Sequence, residues 1–188
     1  MYETTYGTKY EATKGLSRVE IAKLIRADIK AAVKAGTLPA AKYSVTCQSY
    51  AGGGSINIKV ADVTKEGFVL HNEARLRWDL ENPHAGLYNC PANVRDLYSP
   101  EAVELKKTLE GIMAAYNYDG SDIQSDYFNV RFYGGAEFDW RWADAQKELQ
   151  LLRIKGEQVA ADLGLEAAPA ANDGESSQAE WLGALGAL

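Results

Sequence analysis

Four cations, Lys23, Arg26, Lys30 and Lys34, recur at steps of three and four within "SRVEIAKLIRADIKAAVK". On a helix that turns ~100° per residue they fall in one narrow stripe. Such a stripe is either a solvated face or a site that follows a phosphate backbone, because cations in line can neutralise successive phosphates. A second group is acidic: Asp119, Asp122 and Asp126 in "YDGSDIQSDYF". A calcium loop needs acids at alternate positions and a distal Glu, which this spacing does not supply. Acids in a turn before a strand read first as turn formers. The catalytic alternative is a small enzyme acting on a nucleotide in a cleft beside them. His71, His84, Cys47 and Cys90 show no CxxC, HxH or HExxH spacing, so no zinc site is expected. No catalytic residue, metal ligand or cofactor is assigned.

The stretch "SYAGGGSINIKVA" raises phosphate binding once more. A phosphate cradle runs strand, glycines, then a helix whose N-terminus faces the anion. Here a strand follows the glycines and no Lys-Ser/Thr pair is present. Gly52, Gly53 and Gly54 therefore read as a hairpin turn. Two aromatic or apolar groups could meet a partner. Tyr127 and Tyr133 share one face of their segment and could stack a base or anchor a protein. Near the C-terminus, Ser177 and Glu180 form a capping box ahead of Trp181, Leu182, Leu185 and Leu188 on one helical face. Gly183 and Gly186 keep so short a helix from forming alone, a pattern suited equally to docking in a partner's groove and to docking on the chain's own body.

The elements that must position these residues follow from period and punctuation. Ser17 and Glu20 make a capping box, and the helix they open runs to about Lys34 with Ile21, Ile25, Ile29, Ala32 and Val33 inward. "KYSVTCQSY" and "SINIKVADV" alternate and are rich in β-branched residues, so both are strands. Residues 65–98 mix periods and are expected to be an irregular excursion with at most one short strand. Ser99 is a natural N-cap and Pro100 an N1 proline; Leu105, Leu109, Ile112 and Tyr116 should face the core. In "DYFNVRFYGGAEFDWRW" two alternating runs flank Gly134-Gly135. A three-residue loop from Gly134 to Ala136 would pair Phe132 with Phe138, Val130 with Trp140 and Phe128 with Trp142, with Arg131 opposite Asp139. Finally Trp142, Ala145, Leu149, Leu152, Gly156, Val159 and Leu163 form a weak heptad seam. That seam is expected to pack back onto the sheet, with a homodimer through the 142–163 helix as the alternative.

Composition bounds what this assembly can be. The 188 residues are 46% hydrophobic and 24% charged, an ordinary globular balance. No run approaches the ~20 apolar residues that span a bilayer, so no membrane partner is expected. "MYETTYGTKY" lacks a basic start and an apolar core, so no secretory leader is expected. Two cysteines suit a reducing cytoplasm. The net charge of −6 lies wholly in the tail. No Lys or Arg follows Lys155, whereas Glu157, Asp162, Glu166, Asp173, Glu175 and Glu180 do. Residues 1–42 hold eight basic and four acidic groups.

Three blocks, "GLSRVEIAKLIRADIKAA", "YSVTCQSYAGGGSINIKV" and "AYNYDGSDIQSDYFNVRFYGGAEFDW", resemble the large polyvalent protein-associated domain numbered 29, over residues 16 to about 142. The resemblance implies a setting in phages, plasmids or actinobacterial mobile elements and a role in establishing an incoming element, including against host defences. It implies no catalytic residues. The expected fold is α+β: an arm at 1–15, a domain at 16–165 ordered α-β-β-(irregular)-α-β-β-α with two hairpins in one antiparallel sheet, and a flexible acidic tail at 166–188. The expected function is a non-enzymatic accessory protein that binds a host protein in the bacterial cytoplasm through its aromatic surface and acidic tail. Nucleic-acid binding by Lys23, Arg26, Lys30 and Lys34 is the alternative.

Overall fold

The computed structural model describes residues 4–85, 89–121 and 129–164. Trp181, Leu182, Leu185, Leu188, Tyr127, Asp122, Asp126, Phe128 and the expected acidic tail lie outside them. The fold is α+β, and the chain divides into two units, Met1–Glu148 and Leu149–Leu188.

In the first unit, β1 (Thr5–Tyr6) and α1 (Tyr10–Thr13) precede α2 (Arg18–Lys34). The capping box forms as the sequence requires: the Glu20 carboxylate accepts from Ser17 N at 2.8 Å, and Ser17 Oγ accepts from Glu20 N. β2 (Lys42–Tyr50) and β3 (Gly53–Ala61) then make an antiparallel hairpin. Its turn is the pair Ala51-Gly52, with Gly52 at φ +84°, a conformation that costs glycine little. Helix α4 (Pro100–Ala114) starts at Ser99, whose hydroxyl accepts from Ala102 N at 3.1 Å. Helices α2 and α4 pack on one face of the sheet. Ile21, Ile25 and Ile29 meet Ile56, Ile58, Val60, Leu105 and Leu109 there in one buried cluster. Each such side chain contributes roughly 1.5–3 kcal/mol by leaving water. The opposite face of this hairpin carries Ser44, Thr46, Gln48 and Lys59 and is polar, as an antiparallel pair with one face outside the core should be.

The second hairpin is a correction. β4 (Tyr118–Asp119) pairs with β1, and Asp119 also bridges Val130, so the reversal joins residues 118–120 to 129–131. From Tyr133 to Phe138 the chain runs parallel to β3 instead of turning back. Ser55 faces Tyr133, Ile58 faces Ala136 and Val60 faces Phe138, all in one register, with β5 (Ala136–Phe138) as the regular part. The sheet order is β2-β3-β5. Gly134-Gly135 is thus a close approach. A Cβ on Gly134 would stand 1.8 Å from the Ile56 carbonyl oxygen, at φ +131°. Phe132 and Phe138 are buried as expected, yet not as cross-strand partners. Trp140 is exposed and opens α5 (Trp140–Asp162).

Two further expectations change. The segment 65–98 contains a helix, α3 (Glu73–Glu81), and no strand among its described residues. Asn72 caps it by accepting from Ala74 N at 3.1 Å, and Glu73–Arg77 and Arg75–Asp79 pairs at i,i+4 brace it, as helix spacing allows. The expected arm is built into the first unit, since β1 pairs with β4 and Lys9 N donates to Ala115 O at 2.7 Å. Within the second unit, Leu149, Leu152, Val159 and Leu163 of the expected seam are all more than half exposed, and Ile154 and Ala160 are the buried positions. A heptad pattern marks an apolar stripe, but only what lies against a helix fixes its buried side.

Candidate functional site

Lys23, Arg26, Lys30 and Lys34 are all exposed on α2. At a rise of ~1.5 Å per residue the row is about 16 Å long. Elsewhere in the first unit several lysines sit with acids: Lys9 with Asp28, Lys14 with Glu11, Lys65 with Glu101, Lys106 with Glu110. The four cations of the row, like Lys42 and Lys147, make no ion pair among the described residues. The two acids of α2 are otherwise engaged. Asp28 accepts from Lys9 and from the Tyr116 hydroxyl at 2.7 Å. Glu20 is held below the usual carboxylate range first by the Ser17 hydroxyl, then by the Ser17 backbone, and more weakly by Lys23.

The row lies alongside β2. Arg18 Nη2 donates to Ser49 Oγ at 2.9 Å, and the Arg26 guanidinium donates to the Val45 carbonyl. Further along, Ile29, Lys30 and Val33 face Ala41 and Tyr43 across a cleft of about 320 Å³. Helix and strand therefore run antiparallel, with the cations following the strand. Gly54 permits the close end, because a Cβ there would stand 2.3 Å from Arg18 Nε. The Tyr43 hydroxyl donates to Pro39 O at 2.8 Å, and burial pushes its phenol up to about 12.

β2 is also an outer strand. Opposite it, Ile56 N and Ile58 N donate to Tyr133 O and Gly135 O, while Gly54 O and Val60 O accept from Tyr133 N and Asp139 N. These β3 residues turn their main-chain groups away from β2. Antiparallel alternation then places the N–H and C=O of their partners, Tyr43, Val45, Cys47 and Ser49, on the outer edge. Of these groups only Val45 O has a partner among the described residues, namely Arg26. Alternation in "KYSVTCQSY" marks β2 as a strand. Its place at the edge carries no sequence signal.

The other sequence candidates are dispersed. Asp119 accepts from Ser121 N at 2.9 Å, and its hydrogen bonds to Ser121 hold its carboxyl below the usual range. It is an ionised turn former. His71 Nε2 donates to Ala143 O at 2.9 Å, with its ring against Tyr98. It lines a cleft of about 240 Å³ with Arg75, Asp79 and Trp140. His84 is exposed, and Cys47 and Cys90 are not joined. Among the described residues no cluster of three or more His, Cys, Asp or Glu could hold a metal. Tyr133 is exposed at the hairpin end of the sheet, where its ring and that of Tyr50 both lie near Gly53. A third cleft of about 420 Å³ lies where β1 and β4 meet the end of α4. The rings of Tyr6 and Tyr118 stack beside it at 5.9 Å.

Among the described residues of "YNYDGSDIQSDYFNVRFY", Asn117 and Arg131 build structure. Asn117 brackets Phe132 with two hydrogen bonds, its Nδ2 donating to Phe132 O and its Oδ1 accepting from Phe132 N. Arg131, expected on the solvent face opposite Asp139, instead donates through Nη1 to Thr13 Oγ1 and to Tyr116 O, both at 2.9 Å. No protein-family model, curated protein or solved structure matches this chain.

Proposed function

We propose that this chain is a non-enzymatic binding protein that acts on another protein through the α2–β2 face. The row of exposed cations without carboxylate partners, set against a strand edge with unused main-chain groups, carries this proposal. Charges left unmatched within a chain steer and select an oppositely charged partner. The resemblance of residues 16–142 to the large polyvalent protein-associated domain supports a phage or mobile-element setting. The partner is then a host protein of the bacterial cytoplasm, bound to counter defence or redirect host machinery. The exposed stripe on α5 leaves a separate surface on which a second copy could dock.

The cation row also favours nucleic acid as a second ligand class. Against it, the cleft beneath the row is lined by Ile29, Val33, Tyr43 and Val45, which a phosphate backbone does not use. An enzyme acting on a nucleotide has weaker support, since Asp119, the one acid of its cluster among the described residues, is committed to a turn.

The test is nuclease-treated affinity capture from a bacterial lysate, followed by measured binding of the purified captured protein. We expect a protein that survives nuclease and binds the Lys23→Gln/Lys30→Gln/Lys34→Gln variant about tenfold more weakly, at roughly 0.5 kcal/mol per exposed charge. Capture of nucleic acid alone, with affinity falling steeply with salt and lost in the variant, would replace a protein partner by nucleic acid.

A further inference from the structure

The open edge of β2 bears on how a protein partner would bind, and its reading rests on protein binding at the α2–β2 face. We infer that the partner adds a strand: an extended, acidic segment pairs with the outer edge of β2 and lays alternate side chains into the cleft beside the cation row. The main chain offers the first reason. Tyr43, Val45, Cys47 and Ser49 present N–H and C=O groups outward at strand spacing, along a nine-residue strand without proline. Edges of that length are usually blunted by charge, bulge or cover. Here Arg26 on Val45 O and Lys42 at the strand's start are the blunting groups.

The cleft offers the second reason. It opens along the same edge between Ile29 and Val33 of α2 and Tyr43 and Val45 of β2. Every second side chain of an added strand would point into it, and the intervening ones would lie level with Ser44, Thr46 and Gln48 on the polar face. Charge offers the third. Arg26 and Lys30 form the rim of the cleft, with Lys23 and Lys34 along the same row, and none has a carboxylate partner among the described residues. An arriving Asp or Glu takes the Arg26 guanidinium from Val45 O and leaves that carbonyl to the incoming N–H. A second copy paired edge to edge would bring two cation rows together, and the phosphates of nucleic acid accept hydrogen bonds without donating any, which leaves the outward C=O groups of the edge unmatched. The occupant is therefore an acidic strand.

The experiment uses the full chain and a synthetic peptide matching the nine residues of β2 in length, with Thr at alternate positions and Val and Glu in turn between them. Two N-methylated versions block one peptide edge or the other without changing side chains or charge. Amide hydrogen exchange is followed residue by residue by NMR. Binding should protect the amides of Tyr43, Val45, Cys47 and Ser49, which exchange readily beforehand, and leave those of Ser44, Thr46 and Gln48 unchanged. N-methylation of one edge should weaken binding at least about tenfold and of the other edge little. Lys30→Glu/Lys34→Glu should weaken it comparably.

Binding with no protection of the four amides, or equal tolerance of both N-methylated peptides, would reduce the contact to charge and overturn strand addition while leaving protein binding standing. Absence of any binding at millimolar peptide overturns it as well. Protection already present in the free protein would assign the edge to the chain's own acidic C-terminal segment or, where it rises with protein concentration, to a second copy, and either outcome overturns the inference. Protection of the same amides by duplex DNA in place of the peptide would overturn it in favour of nucleic acid.

Discussion

Arg131 shows what a single residue does for the candidate site. Its guanidinium donates to Thr13 O, Thr13 Oγ1 and Tyr116 O, and lies 5.2 Å from the Tyr10 ring. One side chain therefore ties the N-terminal residues to the end of α4. Burial pulls its pKa down from the ordinary guanidinium value, though it remains charged at any working pH. Replacing it by Gln leaves buried carbonyls without their charged donor, and each hydrogen bond to a charged group contributes ~1.5–3 kcal/mol. We expect Arg131→Gln to cost about 2–4 kcal/mol in urea unfolding, with amides of residues 4–16 exchanging first. An unchanged midpoint would mean those contacts contribute nothing net. The α2 cations behave differently at this scale. They form no ion pair among the described residues, so neutralising Lys23, Lys30 and Lys34 should alter binding and leave the urea midpoint where it is.

At the scale of elements, α2 must start in register if its cations are to follow β2. The capping box sets that start. Glu20's carboxyl is lowered in the folded chain by Ser17, so the sign is fixed. Its contribution is present above the ordinary carboxylate value of 4.5 and is lost as pH falls through the lower folded value. Glu20→Gln should therefore lower the thermal midpoint at pH 7, and the gap from the native chain should close as the pH is taken below 4.5. A gap that stays constant across that range would contradict the capping role. Asp119, lowered by Ser121, adds to acid sensitivity in the same direction. Among the strands, placement again depends on one local feature. β5 can lie parallel to β3 because Gly134 lets the backbone pass the Ile56 carbonyl. That parallel strand occupies one edge of β3, and β2 occupies the other. The sheet thus ends at β2 on the side where α2 carries its charges.

At the scale of the whole molecule, every member of the main buried cluster falls within Met1–Glu148. Residues 1–148 alone are therefore expected to unfold cooperatively in urea and to retain the peptide-binding edge. A gradual, non-cooperative loss of signal would show that this core needs the rest of the chain. Net charge also belongs to this scale. A molecule of −6 overall approaches an anionic partner only through a local field. Interactions between exposed charges fall off over about 8 Å at physiological salt, so the α2 row acts on what touches it. Selection by shape at the cleft, more than by charge alone, is the outcome favoured by that balance.

Local chemistry decided much of this protein from the sequence alone. Ser17 with Glu20, Ser99 with Pro100, and the alternation of "KYSVTCQSY" against "SINIKVADV" each satisfy their own backbone groups or bury their own face. Their elements appear where the residues put them, and the cation stripe came with α2. Asn72 with the i,i+4 pairs of α3 was legible in the same way, but mixed periodicity around it hid the helix. The remainder depends on a distant neighbour. Gly134-Gly135 suits a turn and a close approach equally well, and the carbonyl of Ile56 makes it the latter. Arg131 alternates onto a solvent face by local rule, yet the Thr13 hydroxyl and the carbonyls of Thr13 and Tyr116 draw it inward. The exposed edge of β2 is the same kind of fact. A strand's sequence records which side chains are buried, but not which of its two edges has a neighbour, because main-chain hydrogen bonding is the same for every residue type except proline.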